Sequence, residues 1–189
     1  MKNVLNKIII VLLGIFLSSC LTTEYKEYRF TFNSDGSGSG VIKYVNIVSQ
    51  EDEEKDVSFT DFGELIDEWL KGSSFEDENP SYTVVRKELY EENGVLCGEV
   101  EFTFDSFRQA GFIRFEDCDC APILYYMGSL SETYMESNGT YFSDETDMDF
   151  PVMSWKPGIS EVFFKTQVQE DLSDCHSLLP LYKTWEESQ

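Results

Sequence analysis

Four cysteines and a lone histidine have side chains suited to chemistry: Cys97, Cys118, Cys120, Cys175 and His176. In an oxidising compartment an even set of cysteines reads as a disulfide framework. Cys118 and Cys120 stand one residue apart and are badly placed to bridge each other. That leaves Cys97 and Cys175 each to pair with one of them, in either order. Free or partly free thiols are a second reading, and zinc is a third. Cys118, Cys120, Cys175 and His176 are accepted ligand types, yet Cys-Asp-Cys and Cys-His lack the longer spacers usual in such sites. A Ser-His-acid or Cys-His mechanism would have to run through His176. No nucleophile elbow, His-Glu-x-x-His, P-loop or Cys-x-x-Cys motif accompanies it.

Carboxylates are the next resource. Asp144, Glu145, Asp147 and Asp149 crowd one short loop. Calcium takes its oxygens from such loops, so Asp144, Asp147 and Asp149 are weak cation candidates. The EF-hand order is missing, with no bend glycine and no closing Glu. Paired acids also serve glycoside hydrolysis, but a chain with 36 Asp and Glu offers such pairs by abundance alone. The Gly-rich stretch 34–40 is followed by a strand pattern. A phosphate cradle needs a helix there. Aromatic residues supply the last candidates. Tyr125, Tyr126, Tyr141 and Trp155, with Tyr134 and Phe142 nearby, could line a site for an apolar or sugar ligand.

The N-terminus gives the clearest reading. Lys2 and Lys7 precede an apolar run from Ile8 to Leu17. That run is shorter than the roughly 20 residues a spanning helix needs, and it suits the core of a signal peptide. Leu17-Ser18-Ser19-Cys20 follows. This tetrad resembles the lipobox of bacterial lipoproteins. The resemblance implies a thioether-linked diacylglycerol on Cys20, cleavage before it and often a further acyl chain. Two or more chains anchor a protein stably where one does not. Leu21, in place of an Asp, favours the outer over the inner membrane by analogy with envelope lipoproteins. The expected organisation is a signal peptide over 1–19, a lipid-anchored tether over 20–27 and one globular domain over 28–189.

Composition fits that address. Loss of residues 1–19 removes two Lys and no acid, taking the net charge from −22 to −24. So acidic a domain argues against nucleic acid and against direct contact with anionic lipid heads. Aromatic content of 15% supplies apolar surface for a core.

The elements that must position these residues follow from periodicity. Tyr28, Phe30 and Phe32 alternate with polar residues in a strand over 24–33, and 41–48 returns from the glycine turn. Asp61 and Glu64 have the spacing of a capping box. Phe62, Leu65, Ile66, Trp69 and Leu70 form one helical stripe, and Gly72 ends it. The spacing predicts the main amphipathic helix over 61–71. Strands over 82–90 and 95–105 flank Asn93-Gly94, a strong hairpin signal. Gly98 leaves a gap on the buried face of the second, where something can approach closely. Shorter strands are expected over 112–116, 123–127 and 133–135, with a second Asn-Gly turn at Asn138-Gly139 and a return through Tyr141 and Phe142. A last strong strand spans 159–169, and a C-terminal helix over 177–187 is expected to be interrupted near Pro180. The order predicts α+β: a mainly antiparallel sheet built from hairpins, with one main helix on one face.

Residues 28–107 resemble the first half of LppM-type lipoprotein domains. The likeness rests on the strand after the lipid cysteine, Asp35-Gly36-Ser37-Gly38, the helix, and the run from Gly98 to Phe107 (Gly-Glu-Val-Glu-Phe-Thr-Phe-Asp-Ser-Phe). It implies an envelope lipoprotein with a sheet-and-helix domain that interacts with lipid, and it carries no functional residues over. The functional expectation is a non-enzymatic, membrane-anchored extracytoplasmic protein, without cofactor, that binds an apolar ligand or an envelope protein. The alternatives are a structural or assembly component and a carboxylate-dependent hydrolase.

Overall fold

The computed structural model describes residues 20–114, 121–142 and 151–189. Among them the fold is α+β and mainly antiparallel. Two long strands, β1 (Leu21–Phe32) and β2 (Gly38–Gln50), pair along their whole length. The expected tether over 20–27 is therefore already sheet: β1 starts one residue after Cys20. Helix α1 (Ser58–Glu64) runs on as a π-helical segment, Leu65–Leu70, and a short α2 (Ser74–Glu78) follows. The hairpin β3 (Thr83–Glu92) and β4 (Val95–Phe104) turns at Asn93 and Gly94, both at positive φ. That is the type I′ geometry the pair favours.

Then come β5 (Phe112–Ile113), β6 (Ile123–Tyr126), a 3-10 turn (Met127–Ser129), β7 (Thr133–Ser137), β8 (Thr140–Phe142) and β9 (Val152–Trp155). The chain closes with β10 (Glu161–Gln167), β11 (Cys175–Ser177) and α3 (Leu179–Glu186). The larger sheet has the order β3-β4-β2-β1-β10-β7, with β11 beside the far end of β2. The smaller sheet has the order β5-β6-β9-β8.

One face of the larger sheet carries both cores. At one end, Tyr28, Phe30, Phe102 and Phe164 meet Phe112, Ile123, Met153 and Trp155 of the smaller sheet. The rings of Phe30 and Phe112 lie 4.9 Å apart, edge to face, an arrangement favoured by the ring quadrupole. At the other end, Ile47, Leu89 and Leu96 meet Phe62, Leu65, Ile66, Leu178 and Tyr182 of the helices. Asn46 separates the ends. Its φ of +59° kinks β2, and the buried positions change from Ile42, on the sheet side of the kink, to Ile47 and Ser49 beyond it. Asn46 Nδ2 donates to Glu24 of β1 at 2.9 Å, so both strands bend together.

Three local expectations are corrected. Asp61 does not cap the helix, which starts at Ser58 after Val57. It is buried, and its carboxylate accepts a hydrogen bond from Ser49 Oγ at 2.6 Å. Asn138-Gly139 does not close a hairpin: β7 pairs with β10 and β8 with β9, so the chain changes sheets there. Asn138 explains this. Its Oδ1 accepts from Trp155 Nε1 at 2.7 Å in one sheet and from the Phe163 N–H at 2.9 Å in the other. Pro180 does not interrupt the last helix but sits in its first turn, where proline costs no hydrogen bond.

Candidate functional site

The apolar stripe of the main helix lies on β2 and β4, and glycine sets how closely. A Cβ at Gly98 would stand 3.0 Å from Ile47 Cδ1 and 3.3 Å from Trp69. Trp69 is thus what the gap at Gly98 admits. It reaches that point from the π-helical segment, where the Lys71 N–H bonds the Ile66 carbonyl five residues back. The wider π turn rotates Trp69 towards Tyr44, and the two rings meet edge to face at 5.7 Å. Such turns are frequent at functional sites.

Beside this helix the start of β1 borders a groove. Leu21, Thr23 and Lys26 of β1 face Leu65 and Trp69 across a half-open groove of about 220 Å³. Tyr44, Ile47 and Val168 are also part of its lining. Lys26 is its cation, and no carboxylate belongs to its lining among the described residues.

Lys26 does not stand alone. Its Nζ donates to Glu132 at 2.8 Å, and the Glu132 side chain keeps 7% of its surface exposed. Tyr28 OH donates to the same carboxylate at 2.9 Å, as does Thr166 Oγ1. Burial, and after it the charge of Glu132, pushes the Tyr28 and Tyr44 phenols above the ordinary tyrosine range. Three donors satisfy a carboxylate that burial would otherwise penalise. Among the described residues every buried side-chain nitrogen and oxygen has a partner.

Glu132 also borders a second depression of about 390 Å³, with Tyr126, Tyr134 and Tyr141 along it. Tyr134 and Tyr141 stack at 4.0 Å. Two of the four expected ligand residues, Tyr126 and Tyr141, therefore line one open depression. The other two do not. Tyr125 packs 5.0 Å from both Phe112 and Phe164, and Trp155 is 2% exposed in the core. Alternation places them inward, on the face that joins the sheets. Glu132 and Lys26 were missed, because 106 residues separate them and neither sits in a motif.

Among the described residues no disulfide is found. Cys97 and Cys175 are free thiols. Cys97 is fully buried opposite Val45 and Tyr90 within the sheet, and burial pushes its thiol up. Cys175 pairs in register with Gln50 at the sheet edge. Cys118 and Cys120 lie outside the described residues, as do Asp144, Asp147 and Asp149. His176 Nε2 lies 3.0 Å from Glu51 Oε1. No cluster of three or more metal-ligating side chains occurs among the described residues.

One residue before the groove lining begins at Leu21, the Cys20 carbonyl accepts the Gln50 N–H at 2.8 Å. Among the described residues no helix is long and apolar enough to cross a membrane. Comparison of the chain with protein-family models, curated proteins and solved structures finds no match.

Proposed function

We propose that this chain is a lipid-anchored extracytoplasmic protein of the bacterial envelope that works by binding rather than catalysis. The anchor is Cys20, and the site is the groove beneath the π-helical segment, taking an apolar ligand. One observation carries this reading: a groove of about 220 Å³, largely apolar, opens at the residue that follows the lipobox cysteine. Its size exceeds the roughly 150 Å³ that holds benzene in an apolar cavity. It falls below the roughly 300 Å³ at which drug-sized pockets begin. A slim aliphatic group fits that window better than a fused ring system.

Two measurements test it. Fractionation should find the full chain in membranes with an acylated N-terminal peptide, and Cys20→Ala protein released. Membrane retention of Cys20→Ala without loss would remove the anchor. A neutral linear-polyene ester dye should bind the released protein, and Val168→Trp, which enlarges a lining side chain of the groove, should abolish that binding. Equal binding by both variants would remove the groove as the site.

A further inference from the structure

We infer that the groove seats one acyl chain of the protein's own anchor, folded back from Cys20. This deepens the reading of Cys20 as lipidated and of the groove as a binding site, and rests on both.

Three observations lead there. The first is connectivity. The groove lining begins at Leu21 and includes Thr22 and Thr23, so a chain attached at Cys20 starts one residue from that lining. A ligand delivered by a covalent link of one residue acts at a high effective concentration, about millimolar for short links.

The second is charge. The chain carries 36 acids, yet the groove lining holds none among the described residues and has a cation in Lys26. That cation is already neutralised by Glu132 at 2.8 Å. A free fatty-acid carboxylate placed at Lys26 would meet the Glu132 charge as well. An uncharged chain would not. The occupant that fits is therefore an uncharged aliphatic chain, and the ester or amide linkages of an acylated N-terminal cysteine leave its chains without charge.

The third is shape. The walls are Leu65, Trp69, Tyr44 and Ile47, apolar surfaces that a methylene chain can cover. The π turn that swings Trp69 against Tyr44 leaves the trough along β1 open. With other acyl chains of the anchor in the bilayer, one seated chain would clamp the domain to the membrane surface.

The test uses the full chain in its own membranes. Cells are fed a fatty acid with a diazirine near its end, membranes are irradiated, and crosslinked peptides are mapped by mass. The expected product joins the N-terminal Cys20 peptide to the peptide holding Leu65 and Trp69 within one chain. Val168→Trp should lower its yield about tenfold or more, which corresponds to about 1.4 kcal/mol of lost seating. An adduct on the same groove peptide with the mass of a free membrane lipid, unlinked to Cys20, would overturn the inference and leave the groove a lipid site. Labelled bilayer lipid with no adduct on the groove peptide would overturn the inference and the binding site together.

Discussion

Lys26 and Glu132 meet at 2.8 Å, and each faces a different depression: Lys26 the groove beneath the helix, Glu132 the tyrosine-lined one. The pair is the partition between them. It also ties β1 to the segment before β7, two parts of the chain far apart in sequence. Removing the carboxylate strands an ammonium and two hydroxyl donors. Glu132→Leu should cost about 2–4 kcal/mol in urea unfolding, below the full buried-pair range because the Lys26 side chain keeps 22% exposure. Adding Lys26→Met should restore much of that loss. A double variant no more stable than the single one would show that the stranded charge is not the cause.

Asn138 should prove as important as any core residue. Its side chain bonds Trp155, Phe163 and the Glu161 carbonyl. Asn138→Ala leaves the indole N–H inside without its acceptor. A loss of about 2–3 kcal/mol follows, read as a lower denaturant midpoint with a blue-shifted Trp155 emission. A surface turn would lose well under 1 kcal/mol, on the order of 0.5.

Gly98→Val tests the close approach of Trp69. A side chain at Gly98 meets Ile47, Leu89 and Trp69 within 3.3 Å. Overpacking of this kind costs about 1–3 kcal/mol. The near-ultraviolet circular dichroism of Trp69 should change, and so should dye binding in the groove. Unaltered dye binding would separate the Trp69 position from the groove.

Alkaline pH should unfold the protein through its tyrosines. Burial raises Tyr82 and Tyr182 from 10.0 to about 12. Tyr82 stacks on Phe102 at 4.0 Å, and Tyr182 OH lies 2.9 Å from the Leu89 carbonyl. A raised folded-state value means the folded protein holds these protons more tightly than the unfolded chain. Their contribution is whole below about pH 10 and is lost as pH climbs through the folded values, about 12. The tyrosinate absorbance of Tyr82 and Tyr182, taken as the difference from their Phe variants, should therefore rise late and together with unfolding. A smooth titration centred on pH 10 in folded protein would contradict it.

Thiol mapping checks the free cysteines. Cys97 is fully buried and its thiol is raised by that burial, so native alkylation should miss it and label Cys175 first. Cys97 should become reactive only on unfolding. Isolation of a disulfide-linked Cys97 peptide from secreted protein would restore the bridge that the fold does not form.

Local pattern made much of this fold legible. The Asn93-Gly94 hairpin and the stripe from Phe62 to Leu70 depend on near neighbours, and both stand. Gly98 was readable as a gap, though not what fills it. Asn138-Gly139 misled because a turn signal says where the chain bends and nothing about which sheet receives each arm. Asp61 misled because its burial depends on Ser49 across the sheet. The groove was illegible for the same reason. Its walls come from β1, β2, the π-helical segment and the residue after β10, and no window of sequence holds more than two of these.

Strand β1 begins at Leu21, directly after Cys20. A lipid on Cys20 would therefore hold the domain on a leash of one residue, about 3.5 Å of reach. Partners standing off the bilayer by more than the width of the domain would lie out of range. The same leash would set two forces against each other. Acyl chains on Cys20 would pull inward, while a domain charge of −24, were the first 19 residues removed, would be repelled by anionic headgroups over a screening length of about 8 Å at physiological salt. The posture of the domain on its membrane would then respond to ionic strength, tilting flat in high salt and standing away in low.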